Sequence, residues 1–212
     1  MEKGIAIKGF NAILASDVPI GAGLSSSAAI ECATTFALNE LLKTGLDRLT
    51  MVQMSQKAEH EYAGVKCGIM DQFASMFGKE DHVLRLDCRS LAYEYFPLKM
   101  DGLKIVLMDT NVKHSLASSE YNVRREQCEE GVALIQQKHP SIKSLRDADM
   151  MMLNDCIDLN TLVYNRCKYV VEEKNRIREK YPLTFKNQLE ELELKVISKK
   201  KFITVQNKCR SI

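Results

Sequence analysis

Pro19-Ile20-Gly21-Ala22-Gly23-Leu24-Ser25-Ser26-Ser27-Ala28-Ala29 is the stretch whose reading decides the fold. It is a Gly/Ser-rich loop that runs directly into an apolar, helix-forming segment. Gly21 and Gly23 allow backbone to approach a ligand with no Cβ in the way. Ser25, Ser26 and Ser27 place hydroxyls beside the unpaired N–H groups that begin any helix. An anion there meets those donors and the positive end of the helix dipole. No Gly-Lys-Ser/Thr follows, so the loop is not a P-loop, and nucleotide charge must be met by backbone, a metal or distant residues. A Gly/Ser turn that merely opens a helix is the bland alternative. The strand-like run before the loop and the strong helix after it favour phosphate binding.

Working outward, Ile5–Ala15 reads as a strand broken by Asp17-Val18-Pro19. A helix is predicted from about Ala28 to Lys43, with Ile30, Ala33, Ala37, Leu38 and Leu41 on one stripe and Gly45 as its stop. Thr50-Met51-Val52-Gln53 reads as a capping box opening a second helix that ends near Ala63 and Gly64. Cys67–Phe73 opens a short third helix ending near Gly78. Segments 82–87 and 93–98 read as a hairpin around Cys88-Arg89-Ser90, and 103–109 as a buried strand. A long helix capped by Ser118 or Ser119 should reach Lys138. A polar connector follows, then a helix from Asn160 or Thr161 to Lys180. Residues 183–196 could form one more helix. The order of strand, helices, strands and helices predicts an α+β fold rather than regular βαβ alternation.

The 212 residues hold 45% hydrophobic and 27% charged side chains, enough apolar material for a sizeable core. A net charge of +2 supplies no general attraction to nucleic acid or membrane, and Ser198-Lys199-Lys200-Lys201 is too short to change that. No run is long enough for a membrane span, and Met1-Glu2-Lys3-Gly4 does not read as a signal peptide. Seven cysteines without a C-x-x-C fit reduced thiols and a cytoplasmic location, with Cys32, Cys128 and Cys167 as core fillers.

A phosphate loop needs a cation, and a hard cation needs oxygen ligands. Glu59 and Glu61 are candidates, with Ser26 or Ser27 as hydroxyl partner. Two positions apart on a helix point to different sides, so only one glutamate faces inward. Asp71 lies in an otherwise apolar Gly68-Ile69-Met70-Asp71-Gln72-Phe73 run. It is either a helix-start acid stabilised by the dipole or a base for a substrate hydroxyl. Phosphoryl transfer rests mostly on positioning and charge compensation, so one such aspartate suffices. Tyr121 offers a hydroxyl to a polar ligand or packs as an amphipathic side chain. His60, His82, His114 and His139 show no catalytic spacing.

Taken together, Pro19–Ala29, Ala58–Phe73 and Ser118–Cys128 resemble the galactokinase family, within the superfamily that also holds homoserine, mevalonate and phosphomevalonate kinases. The first stretch is common to the superfamily; the second and third are specific to the galactokinase branch. Similarity runs from about Gly4 to about Glu173. The resemblance implies a two-lobed α+β kinase fold, here incomplete at both ends. Residues 1–100 would be the remainder of the N-terminal lobe, 101–182 the start of the C-terminal lobe, and 183–212 an atypical tail. It implies that Gly21, Ala22, Gly23, Leu24, Ser25, Ser26 and Ser27 wrap the phosphates of ATP, and that Ser27 and Glu59 hold Mg2+. Asp71 would face the anomeric hydroxyl of galactose, with Gly68 and Tyr121 touching the sugar. The implied reaction converts ATP and galactose to ADP and galactose 1-phosphate. The family's Gly-Arg-x-x-x-x-Gly-Glu-His-x-Asp-Tyr segment and its C-terminal Gly-rich segment have no counterpart in these residues. Impaired turnover, unpaired sheet edges and poor solubility are therefore expected. A non-catalytic sugar and ATP sensor, an inactive fragment, and a kinase for a related hexosamine are the alternatives.

Overall fold

The computed structural model describes residues 7, 9–21, 23–98 and 115–180. Its elements run α1 (Ser26–Leu42), α2 (Arg48–Tyr62), α3 (Met70–Phe77), β1 (His82–Leu86), β2 (Tyr93–Pro97), α4 (Ser115–Gln136), α5 (Met150–Cys156) and α6 (Leu162–Lys180). Helices accompanied by a small antiparallel sheet agree with the α+β class. The chain divides into two units, the first running to Tyr121 and the second from Asn122. The expected boundary at 100/101, the strand at 103–109 and the tail at 183–212 lie outside the described residues.

In the first unit, α1 packs against α2 and α3. It does so through Ala28, Cys32, Thr35 and Asn39, while Ile30, Ala33, Phe36, Ala37 and Leu41 stay exposed. The expected stripe of Ile30, Ala33, Ala37, Leu38 and Leu41 is therefore largely the outward one, with Leu38 half-buried. The two stripes are offset by two residues, about 200° around the helix. Small and polar side chains let α2 and α3 approach closely, and their polar atoms are satisfied there. Thr35 Oγ1 lies 3.2 Å from Ser55 Oγ on α2. Asn39 Oδ1 accepts from Thr44 Oγ1 at 2.6 Å and Leu46 N at 2.8 Å, which ties the α1–α2 connection. Lys43 (φ 50°) and Gly45 (φ 70°) turn the chain in the left-handed region.

Asp47, not Thr50, caps α2. Its Oδ1 accepts from Thr50 N at 2.9 Å and its Oδ2 from Thr50 Oγ1 at 2.7 Å, so the threonine serves as the cap's partner. Helix α2 ends where Gly64 takes φ 70°. Helix α3 and the hairpin form the second packing layer, with Val52, Ile69 and Phe73 buried among Leu84, Leu86 and Leu91. Phe73 and Phe77 stack, Tyr93 packs edgewise on Phe73, and Tyr95 donates to Phe77 O at 2.6 Å. The strands pair with Arg85 opposite Glu94, an ion pair across the ladder. Asp87 Oδ1 accepts from Arg89 N and Ser90 N and so turns the hairpin.

Ile7 and residues 9–15 form no strand, contrary to the expectation for Ile5–Ala15. A strand needs a ladder partner for its backbone groups, and none pairs with them among the described residues.

The second unit is helical. Cys128, Ile135, Ile142, Leu145, Ala148, Leu153, Ile157, Tyr164, Cys167 and Val171 form its core, so two of the predicted cysteine fillers lie here. Gly131 sits where a Cβ would collide with Cys167 Sγ, which lets α4 and α6 approach closely. Helix α4 begins at Ser115, earlier than the expected Ser118 or Ser119 cap, and ends at Gln136. The polar connector contains α5, capped by Asp149, whose side chain accepts from Met152 N at 2.8 Å. Thr161 caps α6 by accepting from Tyr164 N at 3.1 Å, as the sequence suggested. No described helix is long and apolar enough to cross a membrane.

Candidate active site at the start of helix α1

Three left-handed residues precede α1: Gly21 (φ 77°), Gly23 (φ 78°) and Ser25 (φ 55°). Nothing lies within 4 Å of where a Gly23 Cβ would stand, so glycine is required there by backbone conformation and not by crowding. Ser25 is the N-cap, yet its side chain makes no capping hydrogen bond. A non-glycine residue held in the left-handed region costs about 1–3 kcal/mol, and such strain concentrates at ligand-binding turns. Left-handed turns of this kind point successive N–H groups inward and form anion-binding concavities. The opening of α1 thus keeps its donors for something other than its own serine. Leu24 is exposed, Ser26 is half-buried, and Ala22 lies outside the described residues.

Ser27 stands in the first turn of α1, and its Oγ donates to Glu59 Oε1 at 2.9 Å. Glu61, two residues on, turns outward to Lys57 Nζ at 3.5 Å. Of the two candidate glutamates, Glu59 is the one that meets the loop. Its other oxygen, Oε2, accepts from Gln72 Nε2 at 2.6 Å and from Cys67 Sγ at 3.3 Å. Glu31 of α1 joins the same cluster, accepting from Gln72 Nε2 at 3.1 Å. Burial, opposed by the Gln72 hydrogen bond and reinforced by the Glu59 charge, pushes the Glu31 carboxyl up to about 7. The Cys67 thiol is pushed up to about 12, chiefly by burial and then by Glu59, so it stays protonated and donates.

Asp71 lies half-buried in the first turn of α3, next in sequence to Gln72. The residue that anchors Glu59 therefore shares a helical turn with the predicted base. Gly68 is half-buried in the loop that leads into α3. That loop is held by Cys67 O, which accepts from Gln56 Nε2 at 3.1 Å and contacts His60 Nε2 at 2.7 Å. His60 accordingly has a structural task. Tyr121 lies half-buried on α4, at the end of the first unit.

The sequence reading missed Gln72 and Glu31. Gln72 is fully buried and Glu31 half-buried, and both face inward from otherwise apolar helices. A buried amide in an apolar run must find partners, and that was the available signal.

A hydroxyl and a carboxylate, side by side at a solvent-accessible helix start, form an oxygen donor set suited to a hard cation such as Mg2+. One further group of ligand-type side chains occurs among the described residues: His139, Asp155 and Cys156 in the second unit. There Lys138 Nζ already sits 3.0 Å from Asp155 Oδ2, where it competes with any cation.

Residues 1–79 match the model of the GHMP kinases N terminal domain. Residues 1–79 thus carry the GHMP kinase N-terminal domain, and most of the chain is similar to galactokinases. It is 42% identical to the galactokinase of Thermotoga maritima over 176 residues, covering 83% of this chain and 48% of that relative. The galactokinase of Thermosipho africanus is 38% identical over 191 residues, covering 90% of this chain and 52% of its own length. Among solved structures, Lactococcus lactis galactokinase complexed with galactose matches with a TM-score of 0.68 and 34% identity. That match covers 76% of this chain and 42% of the Lactococcus chain. The chain thus spans about half the length of the curated relatives it matches. The α+β class expected from the order of elements, and the GHMP-kinase-like fold that the resemblance implied, agree with these matches.

Proposed function

We propose that this protein serves as a sugar kinase of the galactokinase type, transferring the γ-phosphoryl group of ATP to the anomeric hydroxyl of galactose. The observation that carries this reading is the Ser27–Glu59 pair at the head of α1, directly after three left-handed loop residues. Gly21, Ala22, Gly23, Leu24, Ser25 and Ser26 wrap the triphosphate, whose charge meets loop N–H groups and the α1 dipole. Ser27 and Glu59 hold Mg2+, which when bound neutralises phosphate charge as it builds toward the leaving group. Asp71 orients the anomeric hydroxyl and takes its proton, while Gly68 and Tyr121 contact the sugar. One bond forms between the sugar oxygen and the γ-phosphorus, and the bond from that phosphorus to the β–γ bridging oxygen breaks. The products are galactose 1-phosphate and ADP. The place of action is the cytoplasm, with no nucleic acid or membrane partner.

These 212 residues contain no match to the arginine-bearing segment of the family, so slow turnover by the isolated polypeptide is part of the proposal. A coupled ADP-release assay tests it, with galactose, glucose and an N-acetylated hexosamine as acceptors. Slow release that depends on galactose and disappears in Asp71→Asn supports the reading. Release only with the hexosamine would assign the related kinase. Saturable binding of ATP and galactose without release would assign a sensor.

A further inference from the structure

Three helices converge on one side chain in the first unit. Gln72 of α3 is fully buried, and its single NH2 group serves two carboxylates. One hydrogen goes to Glu59 Oε2 of α2 at 2.6 Å, the other to Glu31 Oε2 of α1 at 3.1 Å. Both bonds are charge-assisted in kind, stronger than neutral pairs and sharply directional. The backbone beside it is held too, since Cys32 Sγ of α1 donates to Gln72 O at 3.5 Å.

We propose that Gln72 is the positioning residue of this site: its buried amide fixes the Glu59 carboxylate so that Oε1 meets Ser27 at the mouth of the phosphate loop. This rests on the reading of Ser27 and Glu59 as cation ligands. The two oxygens of Glu59 have separate tasks. Oε2 is held from behind by Gln72 and Cys67, while Oε1 reaches the exposed hydroxyl of Ser27. Without the amide, the carboxylate gains freedom to rotate, and two neighbouring acids on α1 and α2 lose the donor that lies between them. Asp71 precedes Gln72 in the same turn of α3, so the amide that fixes Glu59 also fixes the turn carrying the base. The Gln72 Oε1 atom is buried with no hydrogen-bond partner, which a packing role alone would not select. Partners that orient metal ligands typically contribute about 10–100-fold to metal affinity.

The test is Mn2+ binding to the full 212-residue chain with ATP and no sugar, followed by the paramagnetic resonance of free Mn2+. Gln72→Met removes the donor and keeps the volume. It is expected to weaken Mn2+ binding about tenfold or more. ATP affinity without divalent cation should stay near wild type, whereas a merely structural role would move it together with Mn2+ binding. If Gln72→Met does not fold, Gln72→Leu, which likewise removes the donor without adding an acid, carries the same comparison. Glu59→Gln separates the two layers of the reading. Loss of Mn2+ binding in Glu59→Gln with full retention in the folded Gln72 variant overturns the positioning role alone. Retention in Glu59→Gln overturns the cation reading, and the positioning role with it.

Discussion

The two units are held together by different physics. Among the described residues the second buries ten core residues, mostly aliphatic side chains and cysteines, on three helices and the segments between them, with one close crossing at Gly131. The first joins α1 to α2 and α3 through Ala28, Cys32, Thr35, Asn39 and Ser55, and gathers Glu31, Glu59 and Gln72 at the same junction. Its apolar α1 face, with Ile30, Phe36 and Leu41, is turned outward. A core of aliphatic groups is non-directional and tolerant in its details. A junction of hydrogen bonds is directional, which is what a site must be if it is to hold oxygen atoms at set places. The proposed chemistry accordingly sits in the less apolar unit.

Substitutions that attack each unit by its own physics should break this contrast. Gly131→Ala places a methyl against Cys167 and is expected to cost the second unit about 3 kcal/mol, read as loss of its denaturant midpoint. The α1 junction should keep its own transition in that variant. Asn39→Ala removes the acceptor for Thr44 Oγ1 and Leu46 N. It should cost about 2 kcal/mol in the first unit and leave the second unchanged.

Glu31 sharpens the contrast through pH. Burial above all holds its carboxyl up at about 7 in the folded chain, against the ordinary 4.5, so between these values the folded state holds a proton that the unfolded state has released. Stability of the first unit should fall as pH rises from 4.5 to about 7 and then level off. Glu31→Gln should flatten that slope and raise stability at pH 8 by about 1 kcal/mol, after discounting for partial exposure. Thermal melts across the pH range check both. The smallest effect is expected on the outward face. Phe36→Ser with Leu41→Glu should shift stability by less than about 0.5 kcal/mol while raising the soluble fraction on expression.

Much of this was legible in sequence where a residue type has one main use. Gly21 and Gly23 before a serine run pointed to a special backbone loop, and both take positive φ; the 82–97 hairpin followed from its flanking β-formers. Helical geometry allowed only one of Glu59 and Glu61 to face inward, and the family resemblance, not the spacing, singled out Glu59. The α1 face was not legible, because apolarity marks a stripe that can be buried without saying what buries it. Packing against α2 and α3 selected small and polar residues instead. Asp47 was overlooked as the α2 cap because Thr50 fits the capping pattern three residues later, and an aspartate-to-threonine cap is built from the same two residues. Helix α5 escaped notice because seven residues, three of them methionine, give too short a period to detect. Gln72 was hidden beside Asp71, whose charge drew the reading.

The central claim is that the amide-rich start of α1 receives the phosphates of ATP. Backbone amide resonances of the labelled chain, titrated with ATP and Mg2+, test it most directly. The account predicts saturable shifts at residues 23–29 that are lost when Ser27→Ala is combined with Glu59→Gln. Shifts confined to the second unit, with residues 23–29 unmoved at saturating ATP, would contradict it.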